Sequence, residues 1–436
     1  PGIPDPLWSR GLGDVYKRQI NKLLRDLIYK IRKYIILIQL IIVLWSSPVL
    51  RGRAEDRIDF KHEDYSEENG RIKIRTTSFL FERDLIPKLT VKGAYVYDGV
   101  SGATPTGAPP LPNESEVETT EIKDIRRAGF IAADYQIGSH KLSPQLAYSS
   151  ESDYKSFGLS LIDSMDFNDK NTTITIGASH DIDRIVPNYG MNIIREKNKD
   201  NSQVIVGLTQ LINPKTVFTA NLTLGYSSGY LDDPYKGVLF DDHYSPTTEE
   251  IKSLSEFLSL DEIIDLFEYK DGDPYVLFPE NRPSKKFRQV GLLSLTHYIE
   301  KLNGSIEGAY RYYHDDFGVN SDTLSLTWRQ KIGDQFIVSP SFRFYRQSSA
   351  DFYNPRFNVG SPIQHPEATP SHYSADFRLS EFDSFTYGVK FNYIVSDNLK
   401  FDLSLKRYEM EGKDNKTSPS AYANANIITG GFRVWF

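Results

Sequence analysis

Eight histidines and scattered acidic pairs are the residues of this chain with obvious capacity for chemistry. His62, His140, His180, His243, His297, His314, His365 and His372 stand singly, and none forms a metal-ligand pair at helical spacing. A hydrolase built into a membrane barrel needs a serine and a histidine meeting on neighbouring strands. His297 shares the register of Gly291, Leu293 and Leu295, and no serine stands out beside it. Asp232-Asp233, Asp241-Asp242 and Asp271-Gly272-Asp273 have the acidity for weak Ca²⁺ binding, although solvated loop charge explains them more simply. With no cysteines there is no disulfide, no thiolate metal site and no attachment point for a covalent haem. The expectation is a chain that is not an enzyme and carries no cofactor.

What must position any functional group is a set of strands. Along 217–226, Phe218, Ala220, Leu222, Leu224 and Tyr226 alternate with Val217, Thr219, Asn221, Thr223 and Gly225. The stretches 336–345 and 399–406 repeat this period of two, which places successive side chains on opposite faces of a strand. Sixteen such stretches are expected, near 57–66, 71–83, 88–98, 126–138, 140–150, 153–166, 171–183, 202–212, 215–229, 286–300, 304–317, 319–331, 335–348, 384–396, 398–410 and 424–436. Tight polar connections such as Gly138-Ser139 and Asn213-Pro214 alternate with long ones, notably 99–125, 184–201, 230–285, 349–383 and 411–423. Short periplasmic turns alternating with longer extracellular loops mark an outer-membrane barrel.

The fold class expected is therefore all-β: a transmembrane antiparallel up-and-down barrel of about 16 strands, with 14 or 18 as alternatives. Composition agrees. Mean hydropathy is −0.43 while aromatics reach 13%, as when lipid meets only alternate residues and aromatic girdles flank them.

Three segments are expected along the chain. Residues 1–19 resemble translated adaptor sequence, and the first methionine is Met165. Residues 20–54 read as a signal peptide: Lys22, Arg25, Lys30, Arg32 and Lys33 precede an apolar run over 34–45, and Gly52-Arg53-Ala54 offers a small-x-small cleavage site. Residues 55–436 form the barrel domain. Residues 1–54 hold 10 of the 51 basic and 3 of the 58 acidic side chains, so the 382 that follow carry a net charge of −14. A domain this acidic is a poor binder of nucleic acid. The location expected is the outer membrane of a Gram-negative bacterium. The partners expected are outer-membrane lipid, lipopolysaccharide and the barrel-insertion machinery, to which the C-terminal Phe436 would present an insertion signal.

Strand register then turns charge into a candidate function. With the apolar faces in lipid, the opposite face of the C-terminal strands presents Arg311, Arg329, Arg343, Lys390, Lys400, Lys406 and Arg433, opposed there only by Glu307 and Asp402. A lumen wall this basic could leave a transverse field across a pore, or its charges could pair among themselves in a plugged barrel. The long loop 230–285 has a helical passage with capping-box spacing at Thr247/Glu250 and Ser259/Glu262. Its Glu249, Glu250, Glu256, Asp261 and Glu262 would pack over the rim or form a constriction held by the basic wall.

The segment Tyr97-Asp98-Gly99-Val100-Ser101-Gly102-Ala103-Thr104-Pro105-Thr106-Gly107 opens the first long loop and lacks the Gly-Lys-Ser/Thr ending of a phosphate loop. Glycines that permit positive φ, a stiffening proline and hydroxyls read as a latch against the barrel mouth, or else as a ligand-contacting loop. The residues concerned are Asp98, Ser101, Gly102, Thr104, Pro105 and Gly107. This segment resembles the hallmark of the domain-of-unknown-function family 3570. Asp56-Arg57-Ile58, Glu68-Asn69-Gly70-Arg71-Ile72, Tyr230-Leu231-Asp232-Asp233-Pro234-Tyr235-Lys236, Tyr310-Arg311-Tyr312-Tyr313 with Asp315-Asp316, and Ser374-Ala375-Asp376-Phe377-Arg378-Leu379-Ser380 extend the resemblance to the end of the chain. It implies an outer-membrane location and no established activity. The leading expectation is a porin-like channel for small polar or charged solutes. A non-conducting scaffold or receptor acting through its loops comes second, and a membrane-embedded hydrolase third.

Overall fold

The chain divides at Ala54 into two units, Pro1–Ala54 and Glu55–Phe436. The computed structural model describes residues 56–110, 114–186, 196–241, 275–357, 366 and 369–436, all within the second. The expected adaptor segment and signal peptide lie outside the described residues.

Alternation dictates strands, and the strands form as β1 (Arg57–Glu67), β2 (Lys73–Ile86), β3 (Leu89–Pro105), β4 (Thr119–Ile137), β5 (His140–Ser150), β6 (Tyr154–Phe167), β7 (Thr172–Ile185), β8 (Lys197–Asn213) and β9 (Thr216–Gly229). After β10 (Gly237–Asp241) and β11 (Tyr275–Pro279) come β12 (Lys285–Ile299), β13 (Gly304–Asp315), β14 (Asn320–Ile332), β15 (Phe336–Gln347), β16 (Phe382–Ser396), β17 (Leu399–Gly412) and β18 (Ala425–Trp435). Sixteen of them close into one antiparallel barrel in chain order, with β9 beside β12 and β18 returning to β1. Closure pairs Arg57 with Trp435 and Glu67 with Ala425, leaving no free edge of the sheet.

From β3 round to β18, one face of the barrel strands is apolar and exposed. Tyr95, Ile131, Leu146, Leu161, Val204, Leu222, Leu293, Leu324, Phe342, Phe391, Leu403 and Ile428 are each open over 42–54% of their surface. In water such a belt costs about 25 cal/mol per Å² of apolar surface, so its medium is lipid. No helix among the described residues is long and apolar enough to cross a membrane; the strands make the crossing.

The structure lengthens several hairpins. β3 runs to Pro105, so Ser101, Gly102 and Thr104 belong to a strand rather than to a loop, and β4 and β8 begin earlier than expected, at Thr119 and Lys197. Beyond the apolar belt both faces of these strands are polar, so the ladder continues after alternation has faded. The long loop also holds a sheet of its own, β10 paired with β11. The helix expected between them, with Glu249, Glu250, Glu256, Asp261 and Glu262, lies outside the described residues.

The packed cores among the described residues sit in the loops at the long-loop end. Val238, Phe240, Phe357, Tyr373 and Ala375 form one, with Phe240 stacked on Phe357 and edge-on to Tyr373. Phe317, Val319 and Ala350 form another, packed against Leu231, Phe352 and Leu379. At the other end, Phe436 continues the ladder by donating its backbone N–H to the Asp56 carbonyl at 3.0 Å.

Candidate functional site

Two features at the polar face of the sheet could carry function: the charged wall along the C-terminal strands and a buried network where the loops cross the mouth. The wall comes first. On β13–β18 the exposed apolar residues Tyr310, Leu324, Phe342, Phe391, Leu403 and Ile428 define the lipid face. Glu307, Arg311, Arg329, Arg343, Lys390, Lys400, Asp402, Lys406 and Arg433 all stand at alternate positions on the opposite face.

Some of these charges pair. Arg329 reaches Glu307 at 2.6 Å, and Asp402 lies 3.3 Å from both Lys390 and Lys61. Arg433 binds Asp59 across the β1–β18 seam, its Nη2 2.8 Å from Oδ2. The opposition to the basic wall thus includes a carboxylate from the first strand, which barrel closure brings to the last. Arg311 and Arg343 instead lie over the rings of Tyr313 and Tyr345. Neither they nor Lys400 and Lys406 have a carboxylate of the described residues within ion-pair distance. Across the barrel, the polar faces of β4, β6 and β7 carry Asp134, Asp166, Asp181 and Asp183.

The network at the mouth joins three of the sequence segments that carry the family resemblance. Asp376 is 1% exposed, and Arg282 donates to it at 2.8 Å and Arg378 at 2.6 Å. Burial alone would raise the pKa of Asp376, but Arg378, Arg282 and Lys236 outweigh it and hold the carboxyl far below the usual range. Glu280 pairs with Arg282 at 2.7 Å and accepts from Ser374 Oγ at 2.6 Å. Its burial, only partly offset by Arg282, pushes its pKa up to about 7. Arg378 also pairs with Asp233, and Asp232 accepts from the backbone N–H of Arg282 at 2.6 Å. These two aspartates are therefore committed to the loops rather than open to a cation. Asp271 and Asp273 lie outside the described residues, as does Asp242.

The β3 segment closes this network. Lys236 donates to the Pro105 carbonyl and, at 3.2 Å, to Thr104 Oγ1, while the Gly237 N–H meets the Thr106 carbonyl at 2.8 Å. Desolvation lowers the pKa of the buried Lys236. Gly107 has φ +103°, and a Cβ there would come within 2.6 Å of the Gly237 carbonyl oxygen. Only glycine fits this close approach. Asp98 is buried lower on β3, accepting from Thr76 and Arg126, each at 2.6 Å. Gly102 turns beside the Arg71 carbonyl with φ +119°, whereas Ser101 is exposed. Phe377 is faced by Arg71 and Lys236, 5.8 and 5.7 Å from its ring centre. Thr104, Pro105, Thr106 and Gly107 thus lie against Lys236 and Gly237. These neighbours at 236–237 and at Ala375 are what spacing could not reveal.

Between these loops and the strands below lies a cavity of ≈ 610 Å³, lined by Tyr154, Lys199, Lys286, Arg288, Asp232 and Arg378 among others. Arg288 meets Ser227 Oγ at 3.3 Å, and Lys286 faces Asp315 at 3.9 Å. At its edge Asp124, Glu151 and Asp153 bring carboxylate oxygens within 4.8 Å of one another, with Asp153 accepting from Tyr235 and Asp124 from Ser152.

His297 meets Thr216 Oγ1 at 2.8 Å rather than a serine, but a serine does meet a histidine on another pair of neighbouring strands. Ser202 Oγ lies 2.9 Å from His180 Nδ1 across β7 and β8, and Asp200 is 3.8 Å from Nε2. Separate strands carry the two residues, so only their pairing register reveals them. The same arrangement recurs with threonine at His62, Thr77 and Asp64, at 3.0 and 3.9 Å. The outer carboxylates are too distant to orient either ring by a hydrogen bond.

A family model described as "Protein of unknown function (DUF3570)" matches residues 45–433. No protein of curated function matches the chain. Among solved structures it is similar to the siderophore receptor PirA from Pseudomonas aeruginosa, at 11% identity over 88% of this chain and 62% of that one, TM-score 0.40. OpdK from Pseudomonas aeruginosa, solved with vanillate, is similar at 8% identity over 88% and 99%, TM-score 0.40. CdiB from Acinetobacter baumannii is similar at 6% identity over 88% and 60%, TM-score 0.48. The chain therefore spans under two thirds of the length of PirA and of CdiB.

Proposed function

This chain belongs to the DUF3570 family, and we propose that it is an outer-membrane channel passing small polar or charged solutes. One observation carries the reading. Lys61, Arg329 and Lys390 stand on the face that cannot meet lipid, yet their side chains are 38–41% exposed. Charged groups exposed inside a closed barrel support a reading in which water reaches the interior. Four cations of that wall lack a carboxylate partner among the described residues, which favours anions in transit. Residues 20–54 enter the proposal as the export signal, and Phe436 as the mark read by the insertion machinery. Liposomes containing the folded protein should swell in isotonic solutions of small sugars. No swelling above protein-free liposomes would count against a passage.

The second reading is a receptor or scaffold acting through its loops. Two packed cores and a buried ion network at the mouth favour it, because they hold an ordered outer surface. Binding of a macromolecule to loop 230–284 without conductance would select it.

A further inference from the structure

The lipid-facing surface of β3–β7 carries a row of basic side chains above an apolar groove. Arg127, Ser150, Lys155 and Arg184 are consecutive cross-strand partners, so they form one row on the outside of the barrel towards the long-loop end. Arg127 and Lys155 are exposed, and neither has a carboxylate of the described residues within ion-pair distance. Arg127 rests over the ring of Tyr97. Arg184 is partly neutralised by Glu196 at 3.6 Å, and Asp200 stands one row below it on β8.

Directly beneath Arg127 and Ser150, the sheet surface sinks into an apolar groove of ≈ 580 Å³ lined by Tyr95, Ile131, Leu146, Tyr148 and Phe157. Gly129 forms its floor. This glycine lies opposite Tyr95 and Tyr148, and a Cβ there would meet the Ala94 carbonyl oxygen at 2.7 Å. A missing side chain among large apolar neighbours leaves a slot with the cross-section of a hydrocarbon chain. Arg127 and Lys155 are two strands apart, roughly 10 Å, and both side chains are long enough to converge on one anion across Ser150.

We propose that this surface binds a phosphate-bearing acyl lipid of the leaflet at the long-loop end, with phosphate on Arg127 and Lys155 and an acyl chain in the groove over Gly129. Charge complementarity selects the occupant. Cations without counter-charge at the head of an apolar slot suit an anionic amphiphile, and a neutral lipid would leave them unpartnered.

The test uses the full folded barrel in maltoside micelles, titrated with bisphosphorylated lipid A and, separately, with the same lipid after chemical dephosphorylation. Native mass spectrometry reads occupancy. Phosphorylated lipid should bind at least roughly tenfold tighter, since two cations near a lipid surface add their attraction for one phosphate. Arg127→Gln with Lys155→Gln should erase that preference, Arg127→Lys with Lys155→Arg should keep it, and 10 mM inorganic phosphate (roughly the excess needed to saturate a weak anion site) should not displace the lipid. Heat-modifiable gel migration checks folding, and Lys155→Gln alone serves if the double variant does not fold. Equal binding of both lipids, an unchanged preference in the neutral variant, or displacement by free phosphate would each overturn the proposal.

Discussion

Asp376 accepts a hydrogen bond at 2.8 Å from Arg282, a residue 94 positions earlier in the chain, and is 1% exposed when it does so. Each is costly to bury alone, and together with Glu280, Arg378 and Lys236 they join loops that the barrel strands otherwise keep apart. Removing one partner leaves the other charge buried and uncompensated, a loss of roughly 3–5 kcal/mol. Asp376→Asn should therefore speed amide hydrogen exchange across 231–237 and 374–380 by on the order of a hundredfold or more, with β13–β18 unaffected. Exchange that stays slow in those segments would show that the apolar cores hold the loops unaided.

Glu280 gives the same cap a dependence on pH. Its folded pKa of about 7 lies above the ordinary 4.5, so the folded cap binds this proton more tightly than the open one. The stability it contributes is complete below pH 4.5 and is lost as pH rises through 7. Asp376 acts in the opposite sense, but only below its ordinary range. Exchange at 374–380, corrected for intrinsic rates, should accelerate between pH 5 and pH 8 (roughly the window that the two pKa values bracket). Glu280→Gln should flatten that rise. A cap that tightens over the same interval would contradict this assignment.

These two predictions rest on the part of the molecule that sequence conveyed least. Inside the lipid belt, Leu222, Leu293 and Leu403 had to alternate with polar neighbours, so the strands were readable from their period, and about sixteen of them from period and loop lengths together. Once lipid no longer constrains the outer face, the signal vanishes, which is why β3 past Asp98 and β4 before Arg126 went unseen. The placement of Arg343 or Lys406 on the polar face follows from local register. The ion pairs made elsewhere on the wall and at the mouth do not. Arg433 finds Asp59 only because the barrel closes, and Asp376 and Arg282 read as ordinary solvated loop charges until the loops are folded together.

Selectivity should follow the unpaired cations. Under a KCl gradient the reversal potential should show preference for chloride. Arg343→Gln with Lys406→Gln should reduce the permeability ratio by roughly twofold or more. Both residues face the interior on separate strands without a carboxylate among the described residues in reach, so neutralising them should leave folding intact. A cation preference in the unaltered protein would show that Asp134, Asp166, Asp181 and Asp183 dominate the path.

Ser202 and His180 are near enough for proton transfer, but the supporting acid is 3.8 Å from the ring and the arrangement recurs around Thr77. A fluorophosphonate probe should leave Ser202 unmodified under conditions that label a serine esterase completely. Stoichiometric labelling, lost in His180→Ala, would reopen the hydrolase reading.

Single-channel recording in planar bilayers addresses the central claim most directly. The purified, heat-modifiable, folded protein should give discrete conductance steps in symmetrical KCl, and these should grow when Asp376→Asn loosens the cap. Folded protein that inserts into the bilayer yet gives no steps, with or without the substitution, would contradict a water-filled passage and leave the loops as the working surface.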